Sequence, residues 1–300
     1  MELKNKFDDT DMKLHSRNIV KNGLLFFFVI GLVHIGGKAQ TNKRMKSLKV
    51  GIGQLHVDGG NAALNLKNAS TFVQEASAQS CDILVLPEAL DFGWTHSSAL
   101  TEAQPIPGPN SELLQQAAKE NKIYVIAGLT ERNEDKIHNT AILISPEGEI
   151  LAKHRKINIL DIAQHIYTPG NSCTVTPTEL GTIGMNICAD NSPATNELGH
   201  AMGYMGAEII LSPCSWAVPP DFDNEKTPYG DIWKESYTEI AKKHGIPVIG
   251  VSNTGLVKDG EWRDWWCIGA SLVVSKDGEI QKQFNYTREE NTLYTIEVEL

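Results

Sequence analysis

The chain has 300 residues, of which 41% are hydrophobic and 21% charged, with a formal net charge of −10. That length supports one large domain or two small ones, and the acidic balance excludes a protein that meets nucleic acid through a basic face. Its 5 cysteines (Cys81, Cys173, Cys188, Cys214, Cys267) are widely spaced with no CxxC pair, which excludes a disulfide scaffold and offers no zinc-ligand spacing.

Residues 1–44 differ from the rest. Lys13, Arg17 and Lys21 precede an apolar run from Gly23 to Val33, and small residues lead on to Gln40. This is the layout of a secretory signal peptide cleaved near Gln40. The run is short against the ~20 residues of a membrane span. The expectation is a periplasmic or secreted protein with no membrane span after leader cleavage. A start at Met45 would instead make it cytoplasmic.

Residues 45–300 read as one domain. Leu48 to Leu55 is a strand, and apolar residues at helical spacing follow from Asn61 to Ser80. Asp82 to Pro87 is an apolar strand, with Glu88 directly beyond it. Ser111 caps a helix running to about Asn121. Ile123 to Leu129 is a strand, and His138–Ile144 and Ile150–His154 flank a Pro146-Glu147-Gly148 hairpin turn, with Lys156 just after. Thr182 to Ile187 is a buried strand that stops at Cys188. A helix over 197–205 and a strand over 208–212, ended by Pro213, follow. Residues 216–229 are polar, proline-rich and long for a connection, which suggests a substrate loop. A helix over 231–244, a strand over 247–251, a turn at Asn253-Thr254-Gly255 and a hairpin around Lys276-Asp277-Gly278 lead to a last strand over 293–299. Alternating strands and helices with hairpins interspersed predict an α/β layered domain with mixed sheets. No internal repeat is visible.

A lone buried cysteine is usually an inert apolar residue. Glu88 by itself could cap a helix, and Lys156 could belong to a solvated basic group with Lys153 and Arg155. Together, at three strand ends, they point to one site, because strand ends in such folds converge on one sheet edge. A carboxylate can take the thiol proton, an ammonium can lower the thiol pKa, and a backbone N–H beside the cysteine can hold developing charge.

Several segments around these residues share an order and spacing: Lys49 to Gln54, Leu84-Val85-Leu86-Pro87-Glu88, Ala127 to Glu131, His138-Asn139-Thr140-Ala141, His154-Arg155-Lys156-Ile157, Gly184-Met185-Asn186-Ile187-Cys188, and Gly206 to Trp216. In these the chain resembles the nitrilase (carbon–nitrogen hydrolase) superfamily, from about Leu48 to Leu300. The resemblance implies a four-layer α-β-β-α sandwich with two mixed sheets and a Glu88-Lys156-Cys188 triad. It makes Glu88 the general base and later acid, Lys156 the stabiliser of the tetrahedral intermediate, and Cys188 the nucleophile that becomes a thioester. The Ala189 N–H completes the oxyanion site. The implied activity is cleavage of an amide or carbamoyl C–N bond of a small molecule, with release of ammonia or an amine and no metal or organic cofactor. A homodimer or higher homo-oligomer is implied in the same way.

Two departures stand out. Ala189 replaces the aromatic residue that commonly follows the cysteine. No glutamate occurs between Ile157 and Gly170, where many relatives carry a second one; Gln164 and His165 occupy that neighbourhood, with Asp161 earlier. Gln164, Trp216 and Asn253 are expected to contact substrate. The Trp262-Arg263-Asp264-Trp265-Trp266 cluster either shapes the pocket or packs, with Arg263 as a carboxylate clamp. Two alternatives use the same residues: an acyltransferase that passes the thioester to an amine, and a catalytically impaired nitrilase-like binding protein.

Overall fold

The computed structural model describes residues 46–300. The signal peptide, its cleavage near Gln40 and the start at Met45 lie outside the described residues.

The first half runs β1 (Ser47–Gln54), α1 (Ala62–Ala78), β2 (Ile83–Val85), the short α2 (Ala99–Glu102), α3 (Pro109–Asn121), β3 (Tyr124–Asn133), β4 (Lys136–Ile144) and β5 (Ile150–Arg155). The second half runs β6 (Val175–Thr178), β7 (Gly181–Met185), α4 (Glu197–Tyr204), β8 (Ile209–Cys214), β9 (Ala217–Val218), α5 (Asp231–His244), β10 (Val248–Ser252) and β11 (Thr254–Leu256). It closes with β12 (Trp266–Ile268), β13 (Leu272–Val274), β14 (Ile280–Gln283) and β15 (Thr292–Glu299).

Two mixed sheets form, in the orders β15-β1-β2-β3-β4-β5 and β14-β13-β10-β8-β7-β6. A small third sheet pairs β11, β12 and β9. The two large sheets share one pairing pattern. Taken from β15 across to β5, and from β6 across to β14, the pairings run antiparallel, parallel, parallel, antiparallel, antiparallel. The halves therefore repeat in topology where the residues show no repeat.

Side-chain alternation builds the layers. On β1, Leu48, Val50 and Ile52 join the core shared with the second sheet. On β2 and β3, Leu84 and Val125 face the other way, against Leu66, Phe72 and Val73 of α1 and Leu114 of α3. On the second sheet Gly184 lies under α4, where a Cβ would meet Met202 and Ala207. Ile183 and Met185 on either side of it enter the shared core. The result is the expected four-layer α-β-β-α sandwich.

Three local expectations are corrected. Helix α3 starts at Pro109, not after Ser111, because proline is preformed for the first helical position. Ser111 sits in the first turn, and its Oγ accepts from the Gly108 N–H at 3.0 Å. Pro213 does not end β8. It pairs beside Val251, and β7 has already stopped at Met185 opposite Leu211, so no ladder bond is lost on that side. Thr254 and Gly255 are not a free turn but open β11, held by β12.

Candidate active site

Glu88 follows β2 at its carboxyl end in one sheet, and Cys188 follows β7 at its carboxyl end in the other. The end of β2 is stitched to the second sheet through β8, the strand beside β7: the Glu88 N–H donates to Cys214 O at 3.2 Å. Gly128 of β3 lets the segment after β2 pass close beside it, since a Cβ there would lie 2.6 Å from Glu88 Cα and 2.7 Å from Pro87 O.

The Glu88 carboxylate is asymmetric. Oε1 accepts from Lys156 Nζ at 2.6 Å and from Asn139 Nδ2 at 2.6 Å. Oε2 is buried and has no partner among the described residues. Lys156 follows β5, and its backbone N–H donates to Asn139 O at 2.8 Å, which ties the lysine to the strand carrying the asparagine. Its ammonium lies 5.6 Å from the centroid of the Trp94 ring. Burial works against the lysine charge, but the Glu88 carboxylate beside it outweighs that, so the pKa is raised and the group stays an ammonium.

Cys188 opens a 3₁₀ turn, Cys188–Asn191, with a positive φ of 45°. A non-glycine residue held there costs ~1–3 kcal/mol, and such strain concentrates at functional sites. The Cys188 N–H donates to Ser212 Oγ at 3.1 Å and the Asp190 N–H to Ile187 O at 2.9 Å, while no described acceptor meets the Ala189 N–H. The neighbouring Cys214 thiol, burial and the Glu88 charge push the Cys188 thiol well up, and Lys156 pulls it down by less. The resting Cys188 side chain is a thiol.

Asp190 ties the Cys188 turn to the lysine segment. Its Oδ2 accepts from His154 Nε2 at 2.8 Å and the Ile187 N–H at 3.1 Å. Its Oδ1 accepts from the Asn158 N–H at 2.8 Å, Asn158 Nδ2 at 3.0 Å and the Ile157 N–H at 3.2 Å. Burial pushes its carboxyl up, but the His154 contact and these donors hold it below the usual range.

Cys188 and Ala189 border a cavity of about 330 Å³ that Trp216 also lines. Trp216 stacks on Trp233 with centroids 5.2 Å apart. Trp262, from the aromatic cluster, lines the same cavity and meets Trp94 edge-on at 5.0 Å. Other expected contacts are not brought here. Gln164 is exposed, with Nε2 on Asp161 Oδ1 at 2.9 Å, and His165 and Asp161 are exposed with it. Asn253 is buried but lines a separate small cleft with Val57 and Lys258. Arg263 is exposed and outside the lining, and Cys214 lies behind the turn, fully buried. Among the described residues no group of three or more His, Cys, Asp and Glu is arranged to hold a metal ion.

Sequence reasoning gave no role to Asn139, Asp190 or Trp94. Asn139 had a signal: it stands in a strand candidate just ahead of the apolar run Ala141–Ile144, and an amide buried there needs a partner.

A carbon–nitrogen hydrolase family model matches residues 49–300. The chain is 33% identical to omega-amidase NIT2-B of Xenopus laevis over 159 residues, which is 50% of this chain and 57% of that protein. It thus spans less than two thirds of that relative's length. It is 27% identical to a nitrilase of Pyrococcus abyssi over 241 residues, covering 79% of this chain and 84% of that one. Among solved structures, a carbon–nitrogen hydrolase from Helicobacter pylori G27 shares the fold with a TM-score of 0.73 at 20% identity, over 85% of this chain and 89% of that one.

Proposed function

The chain belongs to the carbon–nitrogen hydrolase family, and from that premise we propose that it hydrolyses a primary amide of a small molecule through a thioester on Cys188. The observation that carries the reading is the divided Glu88 carboxylate: Oε1 is anchored by Lys156 and Asn139, and Oε2 has no partner among the described residues. A carboxylate held by one oxygen keeps the other for proton transfer.

Glu88 Oε2 takes the Cys188 proton as sulfur attacks the amide carbon. A base is required because the thiol pKa is raised. The carbonyl oxygen becomes an oxyanion, stabilised by the Ala189 N–H and the Lys156 ammonium. Glu88 then passes its proton to the leaving nitrogen, the C–N bond breaks, and ammonia departs. Water attacks the thioester, giving a proton to Glu88, and collapse returns that proton to the Cys188 sulfur. Glu88 and Lys156 are both buried and neither lines the open cavity, which supports a small leaving group. The omega-amidase relative supports amide over nitrile chemistry.

Ammonia release and intact mass are measured together on a panel of primary amides and carbamoyl compounds. The reading expects ammonia, and a transient acyl adduct that Cys188→Ala abolishes. No ammonia from any compound, or turnover that survives Cys188→Ala, overturns it. The leader over residues 1–44 supports export, with the N-terminus of the protein from its host as the test: a start near Thr41 agrees, and one at Met1 or Met45 does not.

A further inference from the structure

The cavity beside Cys188 is almost wholly apolar. Its walls include Trp94, Trp216, Trp233 and Trp262, with Tyr229 and Ile232. The aromatic groups form two sets. Trp216 and Trp233 stack at 5.2 Å with planes 18° apart, while Trp262 stacks on Trp265 at 4.3 Å and 10° and meets Trp94 edge-on. The Trp233 indole N–H is already committed to Tyr229 Oη at 3.0 Å.

None of the described lining residues carries a charge; Ser192 and Ser215 supply the only aliphatic hydroxyls. The Lys156 ammonium is committed to Glu88 and lies over the ring of the lining residue Trp94. Two large apolar side chains of the lining, Ile232 and Leu160, are 52% and 38% exposed. Apolar residues left in water at the rim of an apolar cavity mark a surface completed by a bound apolar group. Ala189 adds room, because its methyl stands on the same wall where an aromatic side chain would project.

We propose that this cavity is the acyl subsite and that it selects the uncharged, flat apolar acyl group of an aryl or arylalkyl carboxamide, excluding amides whose acyl chain ends in a carboxylate. The proposal rests on the amide-hydrolase reading above. Flat rings match the stacked indole walls. The volume of about 330 Å³ is at the low end of small-molecule sites, right for one ring and a short chain. A carboxylate drawn inside would lose its hydration with no cation in return.

The test compares kcat/KM, read as ammonia release, for phenylacetamide and 3-phenylpropionamide against succinamate, a monoamide of a dicarboxylic acid. In parallel, binding of the same three compounds to the Cys188→Ala protein is read by tryptophan fluorescence. The proposal expects the arylalkyl amides to lead by about 100-fold in both readouts. Ile232→Arg, a change at an exposed rim position, is expected to narrow that ratio at least about tenfold by gain on succinamate. Equal or reversed preference overturns the acyl assignment and leaves amide hydrolysis standing. Tight arylalkyl binding without ammonia from any amide supports the subsite and overturns the hydrolase reading. Neither binding nor turnover overturns both.

Discussion

Lys156 Nζ donates to Glu88 Oε1 at 2.6 Å, and each side chain is only 1% exposed. Two charges taken this far from water hold each other in place. Removing one leaves the other buried and uncompensated, which costs ~3–5 kcal/mol. Lys156→Met is therefore expected to lose stability on that scale in urea denaturation, and turnover with it. Adding Glu88→Gln to that variant removes the orphaned charge and should recover much of the stability but none of the activity. A Lys156→Met protein as stable as wild type would show that the pair is not the buried ion pair described here.

Gly128 sets the position of Glu88 from the neighbouring strand. The atoms a Cβ would meet, Glu88 Cα at 2.6 Å and Pro87 O at 2.7 Å, are backbone and cannot rotate away. Gly128→Ala should push the β2 end outward and displace the carboxylate. An ångström of misplacement costs about 100-fold in rate. The expected result is a kcat reduced on that order, with a lower melting temperature. Unchanged kcat with a lowered melting temperature would mean that Glu88 tolerates the shift.

Asp190 acts at one remove. It receives donors from the lysine segment (His154, Ile157, Asn158) and from the nucleophile turn (Ile187), so its carboxylate fixes the distance between ammonium and thiol. Asp190→Asn keeps the shape but turns an NH₂ group toward one set of donors. The expectation is a folded protein whose kcat drops while KM holds. Its Cys188 should also be alkylated by iodoacetamide with an apparent pKa above the wild-type value, because Lys156 no longer sits to lower it. An alkylation profile that coincides with wild type would reduce Asp190 to a structural anchor.

The parts of this site that were legible in the sequence are those at strand ends. Glu88 and Cys188 each end an apolar run, where a charge or thiol is visible against its neighbours, while Lys156 follows Lys153, His154 and Arg155 and stands out only by its place just after a strand. Asn139 sits inside β4, and its partner Glu88 follows β2 on the far side of β3, so their meeting depends on the order of the strands in the sheet and is not written in one strand. Gln164 lies in the stretch after Lys156 where a second glutamate is common, which is why the sequence suggests a substrate contact. A 3₁₀ turn at Asp161–Ala163 intervenes, and the Gln164 side chain ends in water on Asp161. The layered fold was legible from alternation and helical spacing. The shared pairing pattern of the two sheets was not, because the halves agree in hydrogen-bond topology while their side chains pack differently.

Glu131 gives the fold a dependence on acid that is separate from the chemistry. It lies on β3 and accepts from Lys153 at 2.7 Å, from Arg155 at 2.8 and 2.9 Å, and from Thr140 at 2.8 Å. Burial pushes its carboxyl up, but the hydrogen bonds from Arg155, Lys153 and Thr140 outweigh that and bring the pKa from the ordinary 4.5 to about 2. A carboxyl whose folded pKa is depressed stabilises the fold above its unfolded pKa, and loses that contribution as pH falls toward the folded value. Glu131→Gln is therefore expected to be less stable than wild type by ~2 kcal/mol at pH 7, the scale of a hydrogen bond to a charged group. That gap should shrink between pH 4.5 and about pH 2 as the wild-type carboxylate takes up its proton. Urea midpoints of both proteins across that range measure it, and a gap that stays constant down to pH 2 would mean that the Glu131 charge contributes nothing to the fold.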